Sequence, residues 1–372
     1  MPTTMPTSPI CASKRTTVSS SSSPDPAPEP RSDPRAEPAP LAPPAPELKR
    51  PAGPSLVAIG GGTGLSALLR GLKAKVGTEQ LSELTGVVTV TDDGGSSGRL
   101  RKEFGILPPG DIRNCLVALA DDEDLLSRLF QYRFPNGGGL VGHSFGNLFL
   151  TALTGITGDF HQAILTAERV LSVRGKIYPA TTHDVRLRAH GVSGAVYDGE
   201  SAVGLSGEEL SAIELDPPAP PAFPAAVAAL EGADVILLGP GSLYTSILPN
   251  LLIPGIRQAV AKTRARVILL LNLMTQPGET DAMMGPDHLR AVERHAGRGL
   301  VDAVLANTRP VSESLLAHYA ETNSEPVRVE RSVIEAMGVE VVEADLLADG
   351  DLIRHDSEKL ARAVLGLMER AA

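Results

Sequence analysis

From residue 55 onward, short apolar runs rich in β-branched residues alternate with stretches whose apolar positions recur at helical spacing. The stretch "SLVAIGGGTGLSALLRGL" (55–72) sets the pattern: a buried strand, four glycines within five residues, then a helix. "GVVTVTDDGG" predicts a second strand, and "DIRNCLVALADDEDLLSRLFQYRF" a helical stretch with Asp111 suited to its N-cap after Pro108, Pro109 and Gly110. "SFGNLFLTALTGI" is apolar nearly all round and predicts a buried helix. "GDFHQAILTAERVL" opens on the capping box Asp159–Gln162 and carries apolar Ile164, Leu165, Ala167, Val170 and Leu171. "HDVRLRAHGVSGAVYDGESAVGLSG" instead alternates by twos and is broken by turn residues, which predicts a small antiparallel insertion over about 183–216. Core strands then resume in "ADVILLGPGS", "RVILLLNLMTQPGET", "VDAVLANTRP" and "GVEVVEADLL", and Asp356 opens a last helix. Continuous apolar strands alternating with helices predict an α/β fold: a doubly wound, mainly parallel sheet with helices on both faces and a small β insertion.

The polar motifs fall where such a sheet collects ligands, in the loops after strand ends. Gly62-Thr63-Gly64-Leu65-Ser66-Ala67 fits the looser dinucleotide fingerprint G-x-G-x-x-A, and Gly61 precedes it. Its glycines allow a diphosphate to approach a helix N-terminus, whose free N–H groups and dipole favour anions. The same glycines would also serve a tight turn that holds nothing. Asp92 and Asp93 follow the second strand and are joined by Ser96 and Arg99, a set suited to a sugar-phosphate or to a phosphate-bound metal such as Mg2+. Asp111 with Asn114 forms another polar cluster, although Asp111 also suits a plain cap. His143 and Asn147 lie in "GHSFGN", which matches G-x-S-x-G literally; the preceding loop "PNGGG" is not the strand that a nucleophile elbow requires. Gly239, Gly241 and Ser242, with Thr245 in the following helix, repeat the strand–glycine–helix logic of the first loop. Asn272, Thr275 and Gln276 end one further strand and Asn307 another; these are neutral hydrogen-bonding groups that read a base or a sugar.

Composition narrows the class. Thirteen of the 31 prolines precede residue 51, and residues 1–53 read as a Pro/Ser-rich disordered tail, with 54–372 as a single nucleotide-binding domain. Past the first fifty residues the chain carries 28 basic against 39 acidic residues, with no Trp and 3% aromatics, which disfavours a nucleic-acid surface. No run is long and apolar enough for a membrane span. Cys11 and Cys115 give neither a disulfide framework nor a cysteine zinc site, in keeping with a cytoplasmic protein.

The ordered series "GGGTG", "TDDGGSSGRLR", "PPGDIRN", "GHSFGN", "GPGSLYTSILPN", "MTQPGETD" and "IRHDSEKLA" resembles the gluconeogenesis factor family of bacteria, from about Leu56 to Met368. That family shares a superfamily with the 2-phospho-L-lactate transferases of coenzyme F420 synthesis. The resemblance implies a Rossmann-like core, binding of a UDP-sugar such as UDP-N-acetylglucosamine, and a role in cell shape and wall supply during gluconeogenic growth. It implies no resident cofactor. In the transferase branch the corresponding loops hold acceptor, phosphate and a divalent metal, roles that would fall on Gly61, Gly62, Thr63 and Gly64 and on Asp92 and Asp93. Three functions follow in order of preference: a non-catalytic nucleotide-sugar-binding regulator, a metal-assisted phospho-group transferase, and a nicotinamide dehydrogenase. A homo-oligomer, most simply a dimer, is expected for an α/β domain of this size.

Overall fold

The computed structural model describes residues 53–121 and 123–370. The tail expected over 1–53 therefore lies, but for Gly53, outside the described residues. Among the described residues ten strands form: β1 (Ser55–Gly60), β2 (Glu83–Val88), β3 (Lys176–Pro179), β4 (Arg186–Gly191), β5 (Val196–Asp198), β6 (Leu210–Asp216), β7 (Val235–Leu238), β8 (Arg266–Leu270), β9 (Ala303–Asn307) and β10 (Glu340–Ala344). Seven pair in parallel in the order β10-β9-β8-β7-β1-β2-β3. Counted from the β3 edge, the first six repeat the doubly wound order 3-2-1-4-5-6 and β10 extends it by one, so strand order reverses between β1 and β7.

Both faces of the sheet are covered, which is why its strands read as unbroken apolar runs. Leu56 and Ala58 of β1 pack into a core under the helices α1 (Gly62–Leu72), α2 (Gly95–Phe104), α3 (Gly110–Leu119), α4 (Glu123–Gln131), α5 (Phe145–Thr157) and α6 (Phe160–Val170), closed by the helix Ser357–Glu369. Val57 and Ile59, on the opposite side, join Leu248, Ile256 and Leu289 of the later helices and Leu187 and Ile213 of the insertion. The insertion itself is an antiparallel sheet in the order β5-β4-β6, with one short helix, α7 (Glu200–Val203), between β5 and β6.

Local departures from expectation have simple causes. Strand β3 carries no apolar run, only "KIYP", because an edge strand needs just one packed face and tolerates proline. Strand β2 ends at Val88, and the buried extended segment Thr89–Thr91 then delivers Asp92 and Asp93 beyond the sheet edge. Asp159 accepts a bond from the Gln162 N–H at 2.8 Å as an N-cap should, whereas Val170 faces solvent. Asp111 is not the cap of α3. The cap is Pro109, and Asp111 stands in the first turn with its side chain committed elsewhere.

Candidate functional site

Where strand order reverses, a crevice must open, because the helices after β1 and β7 leave on opposite faces. A cleft of about 1110 Å³ occupies that position. Gly61, Gly62, Thr63 and Gly64 of the β1 loop line it, as do Gly241, Ser242 and Thr245 of the β7 loop. Asn272, Thr275 and Gln276 after β8 and Asn114 of α3 complete the expected residues in its wall. The two glycine loops touch: a Cβ on Gly64 would sit 2.7 Å from the Pro240 carbonyl oxygen, so only glycine fits there. Beyond β7 the chain winds as a single π-helical turn, Leu243–Ile247, which turns Thr245 into the cleft.

One wall is acidic. The Asp111 carboxylate accepts the Gly62 N–H, the first helical amide of α1. Burial lifts its pKa to about 6; the Gly62 bond and Arg113 oppose the rise, and the Asp92 charge adds to it. Glu200 of α7 lines the same wall and accepts from the Thr91 hydroxyl at 3.2 Å. Burial first, then Asp92 and Asp111, push Glu200 well above the usual carboxylate range. Across the cleft, Glu279 takes bonds from the Ser242 and Thr245 hydroxyls and the Tyr244 amide, and burial raises its pKa against them.

The far wall sets neutral hydrogen-bonding groups beside charged ones, Glu279, Asp349, Arg354, Asp356 and Glu358. The Asn272 amide donates to Gln276 Oε1 at 3.0 Å. Tyr319 accepts the Ile353 N–H at 3.1 Å through its hydroxyl. His355 is held neutral, its pKa pushed down to about 4 by burial against a bond to the Leu271 backbone. Its Nε2 is buried without a partner.

Other residues singled out by sequence stand behind the cleft. Ser96 Oγ lies 2.9 Å from His143 Nδ1 and accepts from Asn147 Nδ2 at 3.1 Å. Arg113 reaches Ser144 Oγ at 2.6 Å, Asn147 Oδ1 at 3.1 Å and Asn114 Oδ1 at 2.7 Å. Ser144 caps α5 by accepting the Asn147 N–H at 3.2 Å, so the G-x-S-x-G match is a helix cap and not a nucleophile elbow. Through Asn114 this network braces the cleft wall. Arg99 donates to the Val141 carbonyl at 2.8 Å, Gly239 packs beneath Ile247, and Asn307 ties its own loop to the Leu346 amide at 3.0 Å.

Asp92 and Asp93 serve different segments. Asp92 accepts the Gly94 N–H at 2.9 Å, while Asp93 accepts both the Ser201 amide and hydroxyl, at 3.0 and 2.8 Å. Among the described residues no group of three or more His, Cys, Asp or Glu is placed to hold an ion. Sequence reading passed over Glu200, Glu279 and Asp349, and took in His355 only within the motif "IRHDSEKLA", with no role assigned to it. Glu279 stands in a quoted strand-end loop, where its charge among neutral amides was the available signal; Glu200 has no local signal because the insertion carries it in from elsewhere in the chain.

A doubly wound sheet whose strand-end loops enclose a polar crevice at the reversal point defines a Rossmann-like α/β protein with a small-molecule cleft. More narrowly, the chain belongs to the 2-phospho-L-lactate transferase CofD family, which matches residues 56–347, and within it to the bacterial gluconeogenesis factors. It is 47% identical over 312 residues to the gluconeogenesis factor of Halalkalibacterium halodurans, covering 84% of this chain and 95% of that protein. It is 44% identical over 317 residues to that of Bacillus subtilis, with 85% and 98% covered. A crystal structure of a UPF0052 family member from Bacillus halodurans superposes with a TM-score of 0.80 at 45% identity, over 84% of this chain and 99% of that one.

Proposed function

We propose that the protein is a cytoplasmic UDP-sugar-binding regulator, with UDP-N-acetylglucosamine the type ligand, that supports cell shape and wall supply during growth on gluconeogenic carbon. The observation that carries this reading is the single hollow shared by the β1 loop and the amide-bearing β8 loop, one side offering main-chain N–H groups and the other Asn272, Thr275 and Gln276. A nucleotide sugar is long enough to use both sides. The serine beside His143 is spent on capping, which favours binding over turnover. No resident cofactor is needed, and Mg2+ comes in with the diphosphate. Self-association as a dimer fits the exposed Leu125, Leu129, Tyr132, Leu140 and Val141 along α4 and the loop after it. The test is calorimetric titration with UDP-N-acetylglucosamine followed by chromatography of the ligand. Saturable binding with the ligand returned intact supports the reading, and steady release of UDP defeats it.

The second reading is phospho-group transfer, favoured by the family match and by Asp111, whose pKa near 6 suits a proton acceptor at neutral pH. An Asp111→Asn variant that binds nucleotide normally and shows no catalytic deficit counts against it.

A further inference from the structure

The two glycine loops share a sequence logic, yet their donors are in different states. At the β1 loop the first amide of α1 is met by Asp111, and the Thr63 and Gly64 amides follow it into the cleft wall. At the β7 loop the Ser242 hydroxyl, the Tyr244 amide and the Thr245 hydroxyl all converge on one carboxylate, that of Glu279. Those three donors form the set that would hold a phosphate oxygen, and a chain-borne anion already holds them. Glu279 is 8% exposed and lines the cleft beside Thr275 and Gln276. A carboxylate offers about four lone-pair positions, so after three bonds it retains capacity toward the open side, and that capacity accepts only donors.

We propose that Glu279 is the built-in occupant of the second anion seat and so fixes the direction in which a ligand lies. Phosphate groups are turned away from the β7 loop and settle against the α1 start, while a hydrogen-bond-donating end, a sugar hydroxyl or a ring N–H, meets Glu279. The ligand direction rests on the nucleotide-sugar reading above; the occupancy of the seat does not. This departs from the symmetrical picture, in which both glycine loops grip one diphosphate. A like charge held within bonding distance of Ser242 excludes phosphate there, and the donor end of the ligand is selected by the same group that excludes the acceptor end.

The experiment uses the full chain, the Glu279→Ala variant and the double variant Glu279→Ala/Ser242→Ala, titrated with inorganic pyrophosphate and, separately, with UDP-N-acetylglucosamine. Emptying the seat is expected to tighten pyrophosphate binding at least tenfold and to weaken UDP-N-acetylglucosamine binding at least tenfold, and Ser242→Ala in the same chain is expected to abolish the pyrophosphate gain. Unchanged pyrophosphate affinity in Glu279→Ala, or tightening of both ligands together, overturns the proposal. If thermal melting shows that Glu279→Ala does not fold, Glu279→Gln keeps the shape and removes the charge; pyrophosphate binding no tighter than in the parent chain then overturns it. A parent chain that ignores UDP-N-acetylglucosamine, alongside a pyrophosphate gain in the variant, removes the nucleotide-sugar reading and leaves the seat assignment standing.

Discussion

The two walls of the cleft invite comparison. Behind the β1 loop, Asp92 after β2, Asp111 of α3 and Glu200 of α7 lie close enough to sense one another's charge: burial lifts Asp111, with Asp92 adding to the rise, and burial, Asp92 and Asp111 lift Glu200. The wall formed by the loops after β8 and β10 sets amides, the Tyr319 hydroxyl and a neutral His355 among the charged groups Glu279, Asp349, Arg354, Asp356 and Glu358. One wall thus concentrates buried like charge at a cost in desolvation, and the other mixes hydrogen-bonding groups with charges of both signs.

The sharpest way to separate the walls is pH, because their buried groups respond with opposite sign. Asp111 has a folded pKa of about 6, above its ordinary 3.8. Its contribution to stability is full below about pH 4 and is lost as pH rises to about 6, by up to about 3 kcal/mol. His355 has a folded pKa of about 4, below its ordinary 6.5. It contributes fully above about pH 6.5, and that contribution is lost as pH falls to about 4, again by up to about 3 kcal/mol. Urea unfolding at pH 4 and pH 7 should therefore show Asp111→Asn costing more at pH 4, and His355→Gln losing less stability on acidification than the parent chain. Equal effects of each variant at both pH values would erase the contrast.

Joining the walls is the contact of Gly64 with Pro240. A Gly64→Ala methyl would force the two loops apart and is expected to cost about 2 kcal/mol in denaturant unfolding, with ligand affinity falling in parallel. On the amide-bearing wall, Asn272→Ala removes one bond to Gln276 and one available to ligand, and about 1 kcal/mol of binding should go with them in a calorimetric titration. The smallest effect marks the boundary of the comparison. A hollow of about 810 Å³ lies at the opposite end of β8–β10, lined by Arg264, Asp302 and Glu340, but Arg266 already pairs with Glu340 and Asp302 accepts the Val267 amide. Arg264→Ala should change neither stability nor ligand affinity by more than about 0.5 kcal/mol.

Much of this architecture was legible in the chain itself. Six of the seven main strands announce themselves as apolar runs because both faces of the sheet are covered, and the insertion announces itself by alternation. Strand β3 escaped because pairing with β2, and not its own composition, makes "KIYP" a strand. The cleft's glycine and amide loops were legible because each directly follows a strand, so local order fixes their place. Ser96, His143 and Asn147 also follow that grammar, yet the packing of α5 against α2 sets them in a buried network behind the wall. Glu200 was beyond reach for the converse reason: it arrives from a segment whose position is decided by tertiary packing alone.

The insertion ties together parts of the molecule that the sheet does not. Ser201 binds Asp93 after β2, and Ser206 donates to the Gly278 carbonyl after β8 at 2.6 Å. A span anchored at both ends in this way straps the loop after β2 to the loop after β8, so neither can shift without carrying the insertion along.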